Sequence, residues 1–195
     1  MSTPTDDMVV HPPPNEPTAV AGKVLSLYRD LGGERYDEVV TQTQHGLQCA
    51  MLAERAGALE PLVAAALLHD IGHLLEPPPS EGSNGDPRHE AVGAHHLDRW
   101  FGHDVTRPIA LHVAAKRYLC AIDSDYHDGL SPASVQSLAV QGGPFTDTQV
   151  DAFENTSGWH DAVRLRRWDD EAKQINVRTR GLDEYRDLLT GLVVR

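Results

Sequence analysis

Cysteine is nearly missing from this chain. The two present, Cys49 and Cys120, show no CxxC or zinc-type spacing. That excludes a framework built on disulfides and makes a cytoplasmic protein the expectation. Long apolar runs are missing too: no stretch approaches the ~20 residues of a membrane span. Basic residues are outnumbered, 17 Lys and Arg against 29 Asp and Glu, for a net charge of −12. A nucleic-acid partner is therefore not expected. A small anionic substrate stays compatible with that balance, because a local basic pocket can oppose the global field. The opening "MSTPTDDMVV" lacks the basic start of a signal peptide. Alternating β-branched runs are also lacking, so a sheet is not expected.

What is there is helical periodicity. The 195 residues suit one domain with one sizeable core. Residues 1–17, dense in proline and without apolar period, read as a disordered or loosely docked arm. Residues 18–195 read as a single all-α bundle without internal repeats. "TAVAGKVLSLYRDLGG" has a Thr N-cap and a Gly-Gly stop. A longer helix runs from Tyr36 to Gly57. "EPLVAAALLHDIGHLL" is apolar nearly all round and reads as the buried central helix. A helix beginning near Pro108, short Ser- and Thr-capped helices on either side of "QGGP", and two closing helices complete the chain.

Histidine is the residue in excess, with eleven copies. Burying an imidazole and a carboxylate in the apolar "AALLHDIGHLL" is costly unless each has a partner. Gathering the ligand-type residues gives His45, His69, Asp70, His89, His112 and Asp169, in the order H…HD…H…H…D. A lone HD dipeptide means little, and a single buried His is more often a hydrogen-bonded core residue. The whole set within one bundle favours coordination. Imidazole with carboxylate suits iron or manganese better than thiolate sites do. With two metals, Asp70 is the natural bridge and His69 serves one ion. His95 and His96 read as a solvated face, and His11, His103, His127 and His160 as surface.

Two basic side chains sit in register with these ligands. Lys116 lies four residues after His112, and Arg166 three before Asp169, so each pair shares a helix face. His73 follows the HD pair by one turn. Metal, Lys, Arg and His together describe a pocket for phosphate, phosphonate or a similar oxyanion. The hydroxyls of Ser131 and Ser134 add donors.

The order H…HD…H…H…D resembles the HD-domain superfamily of helical metalloproteins. "QHGLQCA", "LLHDIGH", "RHEAVGA", "HVAAKRYL", "QGGP" and "RRWDDEAK" narrow the resemblance over residues 19–192. In order and spacing they are similar to the HD-domain mixed-valent di-iron oxygenases of the 2-amino-1-hydroxyethylphosphonate dioxygenase type, including those acting on the N-trimethyl analogue. The resemblance implies two iron ions, Fe(II) and Fe(III), on the six ligands named above, with dioxygen as co-substrate. It implies a small hydroxyphosphonate substrate held by His73, Lys116, Arg166, Ser131 and Ser134, and its cleavage to phosphate and glycine or glycine betaine. The family carries a Tyr and a Glu ahead of the first His, for a resting-state ligand and for the substrate amine. Here "ERYDEVV" offers Tyr36 and Glu38, one residue apart rather than two. These would hold a primary ammonium by charge, or a quaternary one by aromatic and carboxylate contacts. Two rivals keep the same ligands: a metal-dependent HD phosphohydrolase acting on a nucleotide or phosphoester, and a non-catalytic HD binding module.

Overall fold

Helix begins where the proline-dense N-terminus stops. The structure, a computed structural model, describes residues 16–33, 40–75 and 88–194. Residues 1–15 of the expected arm, and Tyr36 and Glu38, lie outside the described residues. α1 spans Pro17–Leu31, with Pro17 in its first turn. The expected Thr cap is not used. Glu16 is the N-cap, its carboxylate accepting from the Ala19 N–H at 2.9 Å.

α2 covers Gln42–Arg55, so it starts later than the apolar pattern from Tyr36 implied. The reason is local. Thr41 Oγ1 accepts from Gln44 N–H, and Gln44 Oε1 accepts from Thr41 N–H, a capping box that fixes the first turn. Gly57, at φ 66°, takes the left-handed turn after the helix.

α3, Glu60–Leu68, is the central helix, and every residue from Leu62 to Leu68 is buried. It packs against α2. The expected single helix through Leu75 breaks here: His69–Ile71 form a turn and α4 restarts at Gly72–Leu75. An unbroken helix would splay adjacent side chains by about 100°. The turn instead brings both His69 and Asp70 into the core.

α5 (His89–Leu97) packs on α4 and on α6 (His103–Ile122). Pro108 lies inside α6 rather than at its start. Its missing N–H leaves the Asp104 carbonyl without the usual helical donor. Burial of Val105, Pro108 and Ile109 on one apolar stripe offsets that loss. The short α7 (Ser124–Asp128) was not legible in the sequence. α8 (Pro132–Val140) is capped by Ser131, and α9 (Asp147–Glu154) carries a Thr146–Gln149 capping box. α10 (Trp159–Glu171) packs extensively along α6. A 3₁₀ turn (Leu182–Tyr185) leads into α11 (Arg186–Leu192), which docks on α1.

The bundle closes on a core that includes Leu25, Tyr28, Leu67, Leu68, Ile71, Leu97, Ile109 and Leu165. The described residues contain no strand; an isolated antiparallel bridge joins Phe101 and Val193. None of their helices is long and apolar enough to cross a membrane.

Candidate metal centre and oxyanion site

Five elements deliver the six expected ligands to one buried locus. α2 supplies His45, the α3–α4 turn His69 and Asp70, α5 His89, α6 His112 and α10 Asp169. All six are buried, His45 and His69 at 0% exposure and Asp169 and His112 at 1%.

They fall into two clusters joined by one carboxylate. In the first, His45 Nε2 lies 3.2 Å from His69 Nε2 and 3.2 Å from Asp169 Oδ1. Asp70 Oδ2 faces the same pair, 3.4 Å from His69 Nε2 and 3.7 Å from His45 Nε2. In the second, His89 Nε2 and His112 Nε2 are 3.1 Å apart. Asp70 turns its other oxygen to them, with Oδ1 at 3.3 Å from His89 and 3.6 Å from His112. Asp70 thus spans both clusters.

The far nitrogens explain which atoms face inward. His45 Nδ1 meets the Ala172 carbonyl at 3.0 Å, His69 Nδ1 the Ala66 carbonyl at 3.0 Å, and His112 Nδ1 the Ile109 carbonyl at 2.7 Å. A carbonyl only accepts, so each Nδ1 carries a proton and each ring turns its Nε2 toward its neighbour. Burial pushes His112 down to about 3, with the nearby His89 and His69 adding to the effect, so it is neutral. Burial alone would push the Asp70 and Asp169 carboxyls up. The imidazoles around Asp70 and the Arg166 guanidinium beside Asp169 outweigh it and hold both well below the usual range. Asp70 Oδ2 and Asp169 Oδ1 are buried without a hydrogen-bond donor. Lone pairs and carboxylates converging in a core are mutually repulsive unless cations sit between them. The donor set fits two metal ions, with His45, His69, Asp169 and Asp70 for one and His89, His112 and Asp70 for the other.

Comparison with known proteins identifies the family. The HD domain family matches residues 43–128. Over 165 residues the chain is 47% identical to the hydroxymethylphosphonate dioxygenase of Gimesia maris, covering 83% of this chain and 82% of the relative. It is 39% identical over 151 residues to the glycine-betaine-forming [1-hydroxy-2-(trimethylamino)ethyl]phosphonate dioxygenase of Leisingera caerulea, covering 76% and 77%. Over 171 residues it is 36% identical to the uncharacterized protein L432 of Acanthamoeba polyphaga mimivirus, covering 85% and 78%. The chain belongs to the HD-domain phosphonate dioxygenases.

Of the remaining expected residues, His73, Lys116, Arg166, Ser131 and Ser134 are among those described. His73 is exposed, its ring stacked on His89 at 4.0 Å between centroids. Lys116 is buried one turn beyond His112 and donates from Nζ to Ser137 Oγ at 2.8 Å. Arg166 is buried and donates to Asp169 Oδ2 at 2.7 Å, so the first cluster and the basic site share one carboxylate. Ser134 is buried, whereas Ser131 is exposed and spends its hydroxyl on the α8 cap, accepting from Ser134 N–H at 3.2 Å. Sequence reading missed Ser137, although its position three residues after Ser134 places both on one face of α8. It also missed Asp170 and Tyr126, which contact Arg166. The i,i+4 spacing of Arg166 and Asp170 was a readable signal; Tyr126 had none. Cys49 Sγ lies 3.8 Å from His45 Nε2 and 3.8 Å from the Trp168 carbonyl. Burial raises its thiol well above the usual range, so it stays protonated and packs as a small core residue.

Proposed function

We propose that the chain cleaves the carbon–phosphorus bond of a small phosphonate carrying its hydroxyl on the phosphorus-bound carbon, using dioxygen and a mixed-valent Fe(II)/Fe(III) pair. The observation that carries this reading is the juxtaposition of two ligand clusters bridged by Asp70 with buried Lys116, which lies one helical turn beyond His112 and donates to half-buried Ser137. Hydroxymethylphosphonate and [1-hydroxy-2-(trimethylamino)ethyl]phosphonate, the substrates in two relatives' names, share that hydroxyl-and-phosphonate carbon.

The iron pair supplies the redox capacity and Lewis acidity for dioxygen activation and for acidifying the substrate hydroxyl. The chain's own residues do the rest. Lys116 Nζ and the Ser137 hydroxyl bind phosphonate oxygens, with Ser134 beside them and Arg166 adding charge from α10. His73 reaches the same anion from the α4 side. Because α3, α6 and α10 enclose the ligands, bulk water is kept from the reacting carbon. The balance is one hydroxyphosphonate dianion plus one dioxygen giving one carboxylate, one hydrogen phosphate and one proton. The product acid depends on the group carried by the phosphorus-bound carbon: formate where it is hydrogen, glycine where it is aminomethyl, glycine betaine where it is trimethylammoniomethyl.

The test is phosphate release by iron-loaded protein from hydroxymethylphosphonate, 2-amino-1-hydroxyethylphosphonate and its N-trimethyl analogue, with and without dioxygen. Phosphate formed only in air is the expected result, and the fastest substrate defines the group carried by the phosphorus-bound carbon: hydrogen, aminomethyl or trimethylammoniomethyl. Phosphate released anaerobically from a phosphoester, with none from the phosphonates, overturns the oxygenase in favour of hydrolysis.

A further inference from the structure

α7 has five residues and contributes no fully buried side chain, yet it reaches the site through Tyr126. The Tyr126 hydroxyl donates to Asp170 Oδ2 at 2.6 Å and accepts from Arg166 Nε at 3.1 Å. Asp170 grips the same guanidinium from its side: Nε–H meets Oδ2 at 3.0 Å, and Nη2 meets Oδ1. Nη1 donates to Asp169 Oδ2. A guanidinium has five N–H groups in a rigid plane. These contacts take three and leave one on each Nη. Tyr126 and Asp170 also form part of the wall of a cavity of about 230 Å³ that Gly129, Leu130 and Ser131 line from the α7–α8 connection.

Asp170 is unnecessary for neutralising Arg166, because Asp169 already pairs with it. A second carboxylate makes the group net negative, which by itself opposes binding a dianion. Its benefit must come from geometry. We infer that Tyr126 and Asp170 are positioning residues that clamp the plane of Arg166, so that its two remaining N–H groups meet the oxyanion of the substrate. This rests on the phosphonate reading above. It predicts that a residue on a short peripheral helix, with no contact to a metal ligand other than through Arg166, sets affinity for the anion.

The sign of the effect separates clamp from charge. If Asp170 acts only as a charge, removing it tightens anion binding. If it holds the guanidinium, removing it weakens binding. Inorganic phosphate titrated calorimetrically into the metal-loaded full chain gives the affinity, and elemental analysis gives metal content on the same samples. Tyr126→Phe, which changes no charge, and Asp170→Ala are each expected to weaken phosphate binding about tenfold, the worth of one hydrogen bond to a charged group. Metal content is expected to stay at the wild-type level, and KM for the turned-over phosphonate to rise in step. Unchanged or tighter phosphate binding in Asp170→Ala overturns the clamp, as does weakening only in proportion to lost metal, or a wild type that binds no phosphate. Absence of turnover in the wild type would sink the oxygenase reading, while the phosphate titration still decides the clamp.

Discussion

At the scale of single residues, the site divides into groups proposed to hold metal and groups proposed to hold the anion, and substitutions should separate them. Lys116 lies one turn beyond His112 and donates from Nζ to Ser137 Oγ. Lys116→Ala is therefore expected to raise KM roughly 10–100-fold by removing a charged hydrogen-bond donor, with metal content unchanged. His112→Ala removes one of two imidazoles from the second cluster and should halve the bound metal, read by elemental analysis, with activity lost. Retention of both metals in that variant would remove His112 from the ligand set. The convergence of the candidate ligands and their basic neighbours was legible in the sequence because residue type and helical spacing restrict which side chains share a face. Ser137 was not, since a hydroxyl on an amphipathic helix is ordinary until Lys116 is seen against it. The roles of Arg166 changed more: spacing placed it beside Asp169, but only the fold shows two carboxylates and a phenol competing for one guanidinium.

At the scale of elements, the ligands are only as well placed as the helix contacts behind them. The tightest is between α4 and α5. A Cβ on Gly72 would stand 2.0 Å from the His89 carbonyl oxygen, a backbone atom that cannot yield without moving His89 itself. Gly72→Ala should cost about 1–3 kcal/mol, as overpacking does, and should deplete the second metal more than the first. Thermal unfolding and metal analysis measure the two effects; an unchanged metal ratio would detach α5 placement from the Gly72 contact. The "QGGP" motif has a comparable explanation. Gly142 and Gly143 take φ of 99° and 71°, and Arg117 on α6 donates to both of their carbonyls. The turn therefore fastens the α8–α9 connection to the helix that carries His112 and Lys116. The sequence could mark it as a turn, since glycine readily adopts positive φ, but not the helix it is fastened to.

At the scale of the whole molecule, the centre works against the fold until cations occupy it. Two buried carboxylate oxygens without donors and paired imidazole lone pairs sit at the junction of α2, α3, α5, α6 and α10. Anything that binds only the native state stabilises it by mass action. Stripping metal should lower the melting temperature by about 10 °C, from roughly 4 kcal/mol of binding linkage in a chain of this size. Calorimetry of chelated and reloaded protein checks this, and equal melting temperatures would mean the cluster is not a folding partner of the metal. By itself, the sequence determined the all-α class, the absence of a membrane-length apolar helix, the six ligand candidates and the basic side chains in register with them. These follow from period, composition and residue chemistry, which are local. Tertiary structure decided the rest. It broke the central helix at His69–Ile71 so that two adjacent side chains turn inward, divided the candidate ligands into clusters spanned by Asp70, and brought Tyr126 and Ser137 from α7 and α8 to Arg166 and Lys116. The physical reason is that convergence of side chains far apart in the chain depends on how helices cross and where backbones touch, and no local pattern records that.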